Sequence, residues 1–340
     1  MTTGTAVYIV LCCQKRRLKL ACDMASRPRT LPDLPPTFPP VPDWARAAGA
    51  RQAAGDAELF AGAALGSIHQ IARGHHPLGQ LWRQRLALQS AEAVVRLQGR
   101  TEDAAALRDH LYLTRPGDDP GPAGRILQAW RALGRGSSLG PVSLNAEWLV
   151  IFADLLSLTI DAPAQEAIDN ALAASVGTRN PIEAASATVA TSLTLRPDSR
   201  PLALWLADAV LARRLNWPVP VPLLAAHLKR DDLRFAGGPR ADPQRWQTAC
   251  AFAYGRGATA AFDLYADLAR RAHRLLALAP QLRSKDADAM VAILISEDAQ
   301  AAQTGRTVSD RSSRRLFERL VALGGVRELT GRPTFRLYGL

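Results

Sequence analysis

Apolar residues recur at intervals of three and four over most of the chain between residues 43 and 280. The segments DAELFAGAALGSIHQIA and PLGQLWRQRLALQSAEAVVRLQG both follow this spacing, which is typical of amphipathic helices. Gly- and Pro-rich turns separate such segments. Asp56, Asn180 and Asp242 stand where helix N-caps are expected. The pattern predicts an all-helical domain over residues 44–284, and no fixed internal period indicates a solenoid.

Individual helices follow from the same pattern. SLNAEWLVIFADLLSL predicts a helix over residues 143–158, and VPVPLLAAHLKR predicts one over residues 219–230. DPQRWQTACAFAYG and ATAAFDLYADLARRAHRLLALA predict two further helices, over residues 242–255 and 258–279.

The pattern changes after residue 284. DADAMVAILISEDA predicts a first helix, QAAQTGR a short second helix or turn, and SDRSSRRLFERLVALG a third helix that Ser309 or Asp310 caps and Gly324–Gly325 ends. VREL and TFRLYG then predict two strands joined through TGRP. This order predicts a winged helix–turn–helix over residues 285–340, with one β-hairpin as its wing. The predicted fold class is therefore mainly α, a multi-helical body followed by a small winged-helix unit.

The third helix has two distinct faces. Its apolar face contains Leu316, Phe317, Leu320 and Leu323. In the second strand, period-two alternation predicts that Phe335 and Leu337 face the helices while Arg336 points away.

The charge distribution suggests a partner for this unit. The chain carries a net charge of +11, and residues 305–340 hold eight Arg against three acids. Arginine reads guanine and clamps phosphate, and the first half of a recognition helix enters the major groove. We therefore predict contact with double-stranded DNA through one set of arginines: Arg311, Arg314, Arg315, Arg319, Arg332 and Arg336. Three alternatives stay open: a protein partner or self-association through the wing, a purely structural cap, and an enzyme with a pocket in the helical body.

Recognisable catalytic motifs are not apparent in the sequence. The six histidines form no HExxH or similar spacing, and the chain has no Walker loop and no GxSxG elbow. We therefore predict no metal site and no cofactor. We also favour a non-enzymatic protein over an enzyme. The acid pairs Asp118–Asp119, Asp231–Asp232 and Glu297–Asp298 are interpreted as solvated caps at turns and helix ends.

Cysteine usage and hydropathy indicate the compartment. Beyond Met24 only Cys250 remains, which fits a reducing cytoplasm. No run of eighteen apolar residues exists, so no membrane partner is expected.

The first 43 residues differ from the rest. Residues 1–23 hold three of the four cysteines and are interpreted as a wrongly assigned extension before a start at Met24. Residues 24–43 are Pro-rich and predict an extended arm that covers the body or leads into it.

Three stretches carry a family resemblance: DDPGPAGRI, RPLALWLADAVLARRLNWPVPVPLL and RRLFERLVALGGVRELTGRPTFRLYGL, in that order. Together they resemble the family of domain of unknown function 1403, found mainly in alphaproteobacteria, from about Trp44 to Leu340. The resemblance implies a helical body with a C-terminal winged element in a bacterial cytoplasm. It implies no catalytic residues. A transcriptional or plasmid-related regulatory role is the function we expect.

Overall fold

The structure is a computed structural model. It describes residues 31–51, 53–115, 117–135, 152–177, 180–282, 287–302, 310–332 and 334–340, and for residues 54 and 310–312 it describes the backbone alone. The predicted extension 1–23, the first residues of the Pro-rich arm and most of the predicted helix over 143–158 lie outside these ranges.

The described chain is mainly helical, as predicted. Its α-helices are α1 Asp43–Arg51, α2 Ala57–Arg73, α3 Gly79–Leu97, α4 Ala104–Tyr112, α5 Gly121–Leu133, α6 Ala162–Val176, α7 Pro181–Leu195, α8 Arg200–Arg214, α9 Leu224–His227, α10 Pro243–Leu278, α11 Ala287–Ser296 and α12 Asp310–Ala322. Its strands are β1 Gln300–Ala301, β2 Arg327–Glu328 and β3 Leu337–Gly339. Among the described residues, no helix combines the length and the apolar character that a membrane span requires.

Two of the three predicted caps are confirmed. The side chain of Asn180 accepts a hydrogen bond from the N–H of Ile182, and that of Asp242 accepts one from the N–H of Arg245. The prediction for Asp56 is wrong, because its carboxylate accepts from Arg51 Nε at 2.9 Å and does not cap α2.

The prediction of two helices over residues 242–255 and 258–279 is wrong, because α10 runs unbroken through both. Gly255 allows close packing at this point. A Cβ on Gly255 would lie 2.4 Å from Phe60 Cδ1 of α2, and a Cβ on Gly49 would lie 2.6 Å from the same ring. Gly255 therefore lets α10 pack closely against α2, and it does not end the helix.

The predicted helix over residues 219–230 is reduced to the single turn of α9, followed by a 3-10 helix at Arg230–Phe235. Pro218, Pro220 and Pro222 have no N–H to donate in the preceding segment. The buried carboxylate of Asp208 accepts from the N–H groups of Leu223 and Leu224, at 3.1 and 3.2 Å, and so starts the helical turn.

Residues 31–42 contain no helix or strand and contact α10. Tyr265 Oη donates to the carbonyl of Pro36 at 2.9 Å, and the ring of Phe38 meets that of Tyr265 edge-on. His273 Nε2 lies 3.2 Å from the carbonyl of Pro35. This part of the Pro-rich arm covers the body.

The C-terminal part forms a three-stranded antiparallel sheet in the order β1-β3-β2. The predicted hairpin pairs Arg327 with Gly339 and Glu328 with Tyr338, while β1 pairs Gln300 with Tyr338 on the other side of β3. The segment predicted to hold a short second helix or turn begins differently, because Gln300 and Ala301 form β1, and Ala302 is a turn. The remainder of that prediction, residues 303–306, lies outside the described ranges.

Candidate nucleic-acid interface

The inward face of α12 is fixed by apolar packing. Leu316, Phe317 and Leu320 are buried, and the ring of Phe317 stacks on Tyr338 of β3 at 4.5 Å between centroids. The prediction for Leu323 is wrong, because its side chain is 38% exposed.

The end of α12 explains the exposure of Leu323. Gly324 adopts φ +69°, the N–H of Gly325 donates to the carbonyl of Leu320, and the N–H of Gly324 donates to that of Val321. This is a Schellman motif, which ends the helix as predicted. Because α12 itself ends at Ala322, Leu323 leaves the apolar face.

The outward face of α12 is basic. Arg314, Arg315, Glu318 and Arg319 are all exposed. Arg319 Nη2 donates to the carbonyl of Gln281 at 3.3 Å. Among the described residues from 310 to 340, the ion pairs are those of Arg332 and Arg336, and neither Arg314 nor Arg315 takes part in one. Arg311 lies in α12, but its side chain is outside the described part of the chain. Of the two proposed caps, Ser309 and the side chain of Asp310 also lie outside it.

The two arginines at the β2–β3 hairpin, Arg332 and Arg336, are held by intramolecular contacts. Arg332 pairs with Asp109 of α4. Arg336 Nε donates to the carbonyl of Arg332 at 2.9 Å and lies 3.6 Å from the carboxylate of Glu328. Both side chains remain about half exposed, at 48% and 47%. The structure therefore places Arg332 and Arg336 together at the β2–β3 hairpin, and Arg314, Arg315 and Arg319 together on α12.

The prediction that Phe335 faces the helices is wrong. Its side chain is 63% exposed, whereas Leu337 is fully buried and Arg336 is exposed as expected. The cause is local, because Phe335 has φ +53°. A left-handed residue interrupts the alternation of sides that a continuous strand would give, and β3 begins only at Leu337.

A buried ionic centre that the sequence did not reveal joins this unit to the body. The carboxylate of Asp298 lies 2.5 Å from Arg85 Nε of α3 and accepts from Arg108 Nε of α4 at 2.8 Å. Arg85 Nη2 also donates to the backbone oxygens of Asp298 and Leu340, at 3.0 and 3.1 Å. The interpretation of Glu297–Asp298 as solvated caps is therefore wrong for Asp298, which is 2% exposed.

The electrostatics of Asp298 follow from this geometry. Burial opposes its ionisation, but the charges of Arg85 and Arg108 outweigh burial and hold the pKa of the carboxyl below its ordinary value. Burial also lowers the pKa of Arg85. The neighbouring Glu297 accepts from Gln80, Gln84 and Arg131, which extends the polar contact to α5.

A second buried carboxyl lies within the body. Asp208 of α8 is enclosed beside Tyr254 and Cys250 of α10, and burial raises its pKa to about 7. Its oxygens are used by the two backbone N–H groups of Leu223 and Leu224. This arrangement shapes the turn between α8 and α9.

The helical body also contains an open groove of about 370 Å³ between the end of α3 and the start of α8. Val94, Leu97 and Leu204 form apolar parts of its wall, and Asp198 and Arg200 stand at its rim. Asp198 is the single acid among its described lining residues. Across the described residues, no group of three or more His, Cys, Asp or Glu could hold a metal ion.

Comparison with known proteins identifies the family. The family model described as "Protein of unknown function (DUF1403)" matches residues 31–340. The chain belongs to the DUF1403 family. This membership confirms the resemblance seen in the sequence, and it covers both the body and the C-terminal unit. A search of curated proteins finds no match to this DUF1403 member.

Proposed function

We propose that the chain binds duplex nucleic acid through α12 and the wing. The observation that carries this proposal is the order of the C-terminal elements. A helix, α11, precedes a strand, β1, that pairs with β3, and α12 precedes the hairpin β2–β3. A winged helix–turn–helix has this order, with its second helix between β1 and α12; that position, residues 303–309, lies outside the described ranges.

The charges on α12 support the same proposal. Arg314 and Arg315 are exposed in the first two turns of the helix, which is the part of a recognition helix that reaches base edges and phosphates. Their positive charges are not used by ion pairs within the described C-terminal unit. Arg319, Arg332 and Arg336 lie on the flanks and would contact the backbone of the nucleic acid, with Arg311 beside the first pair.

A bacterial regulatory or plasmid-related role in a reducing cytoplasm belongs to the same proposal. Cys250 is a buried free thiol, which is compatible with that compartment.

The test is fluorescence anisotropy with a labelled duplex at low salt. The variant Arg314→Glu/Arg315→Glu should lose most of the binding, because each reversal replaces attraction by repulsion at the phosphates. The matched control is Arg200→Glu/Arg213→Glu, which reverses two exposed arginines of α8 and changes the net charge equally. Equal loss in both variants would show that net charge alone is responsible and would contradict a role for α12.

A second candidate is an adaptor that docks a protein through the same unit. Val321 and Leu323 at the end of α12 are 40% and 38% exposed, and exposed apolar side chains are typical of protein contacts. This alternative predicts concentration-dependent association of the chain that Val321→Asn/Leu323→Asn abolishes. Sedimentation velocity over a hundredfold range of protein concentration measures it.

A further inference from the structure

One residue of the wing combines two unusual properties. Phe335 is a large aromatic side chain with 63% of its surface exposed, and its backbone has φ +53°. Left-handed backbone is unfavourable for a bulky residue and persists only where surrounding structure imposes it. Exposure of the ring adds the unfavourable hydration of apolar surface. Neither property contributes to the stability of the free protein.

The flanking contacts fix where this ring is presented. On one side, Arg332 is held by Asp109 and its N–H donates to Glu328 at 3.2 Å. On the other side, Leu337 is buried in β3 and its N–H donates to Thr330 Oγ1 at 3.3 Å. Contacts therefore anchor the described residues on both sides of Phe335, and the ring itself is exposed.

The side chains around Phe335 indicate a binding partner that carries several negative charges and also has flat apolar surfaces. Arg332 and Arg336 lie three residues before and one residue after Phe335, and both are half exposed. A nucleic acid meets both requirements, because phosphates pair with the arginines and base faces or base steps accept the aromatic ring.

We propose that Phe335 is a base-contacting wedge, which inserts into the minor groove of a bound duplex while Arg332 and Arg336 contact the phosphates beside it. This inference rests on the proposed function and adds to it a specific apolar contact. Neither the family match nor the arginine face of α12 assigns a role to Phe335.

The test uses Phe335→Asn in the full chain. Asparagine tolerates left-handed backbone better than phenylalanine, so the variant should fold and its Tm should equal or exceed that of the wild type. Its affinity for a labelled duplex should fall on the order of tenfold, which is the scale of an aromatic contact with a base. Because no charge is removed, the slope of log affinity against log salt should stay unchanged.

Two controls make the outcomes distinct. Leu323→Asn removes another exposed apolar side chain from the same unit but outside the wing, and its affinity for the duplex should match that of the wild type. Arg314→Glu/Arg315→Glu reports on the proposed function independently of the wing.

Each result decides between the hypotheses. Weaker binding by Phe335→Asn at an unchanged salt slope supports the wedge. Wild-type affinity in Phe335→Asn, with binding lost in the α12 variant, overturns the wedge and leaves the proposed function intact. If the wild type itself fails to bind the duplex, the proposed function and the wedge both fail; loss of self-association in Phe335→Asn would then assign the ring to a protein contact.

Discussion

Asp298 shows how one buried carboxylate connects three separate parts of the chain. It follows α11, yet its oxygens are used by Arg85 of α3 and Arg108 of α4. Two guanidinium groups in a buried site require an anionic partner, because uncompensated buried charge is strongly unfavourable. The carboxylate therefore fixes the position of the sheet relative to the body.

Replacing Asp298 by asparagine should destabilise the protein by about 3–5 kcal/mol, the scale expected when one partner of a buried ion pair is lost. The control is Asp263→Asn, which removes a similar pair with Arg46 at a site where the carboxylate is 56% exposed, and which should cost less than about 1 kcal/mol. Urea unfolding at pH 7 measures both. Equal effects in the two variants would contradict a special role for the buried centre.

Asp208 should give the protein a distinctive pH dependence. Its pKa in the folded protein is about 7, above the ordinary value of 3.8. A folded state that binds the extra proton loses stability as the pH rises from about 4 through about 7, on the order of 4 kcal/mol in total, and the loss is complete above that range. The pKa values of His76 and His227 are lowered by burial and act in the opposite direction in both proteins. The urea midpoint should therefore fall more between pH 5 and pH 8 in the wild type than in Asp208→Asn. An equally steep fall in the variant would assign the dependence to other groups.

At the scale of the element, α10 depends on glycine for packing. Phe60 is buried, and its ring lies within 2.6 Å of the positions that a Cβ would take on Gly49 and on Gly255. Gly255→Ala should therefore destabilise the protein by about 1–3 kcal/mol through overpacking.

The matched control for Gly255 is Gly66→Ala in α2, where an added Cβ meets no atom within 4 Å. Alanine at an open helical site should stabilise the protein by about 0.5–1 kcal/mol. Thermal unfolding of the two variants should thus shift Tm in opposite directions. A shift in the same direction for both would mean that helix propensity, and not the Phe60 contact, governs the site.

The ion pair between Arg332, in the connection between β2 and β3, and Asp109 of α4 also yields a prediction. Asp109→Asn removes the carboxylate that engages Arg332 and leaves the side chain nearly the same size. If Arg332 contacts phosphate, the variant should bind duplex DNA several-fold more tightly, since the phosphate no longer competes with a carboxylate for Arg332. Anisotropy titrations at three salt concentrations measure this change. Weaker binding would indicate that the ion pair positions the wing for contact.

The sequence predicts elements well where local signals decide them, as Asn180 and Gly324 show. Prediction fails where a distant partner decides. In the sequence Gly255 resembles a helix end. The structure shows instead that a side chain at this position would collide with Phe60, 195 positions earlier. The short strand β1 has no hydrophobic alternation of its own and exists because β3 supplies its pairing partner.

At the scale of the whole molecule, the C-terminal unit and the helical body share buried contacts. Arg85 reaches the backbone of Leu340, and Gly325 lies against Leu275 and Leu278 of α10. The C-terminal unit and the body are therefore expected to unfold together.

The candidate site was predictable in part. The arginine face of α12 follows from helical spacing, and the structure exposes Arg314, Arg315 and Arg319 on it. The sequence analysis placed Phe335 on the wrong side of the strand. Its left-handed backbone changes the direction of the side chain, and period-two alternation cannot predict such a change. The partners of Asp298 lie 190 and 213 residues away from it in the sequence, so no local pattern reveals them.

The most direct test of the central claim is the salt dependence of duplex binding by the wild type and by Arg314→Gln/Arg315→Gln. Each lost phosphate contact lowers the magnitude of the slope of log affinity against log salt by about 1. We predict a slope that is smaller by about 2 in the double variant and unchanged in Arg200→Gln/Arg213→Gln. A slope that is the same in all three proteins would contradict contact between α12 and nucleic acid.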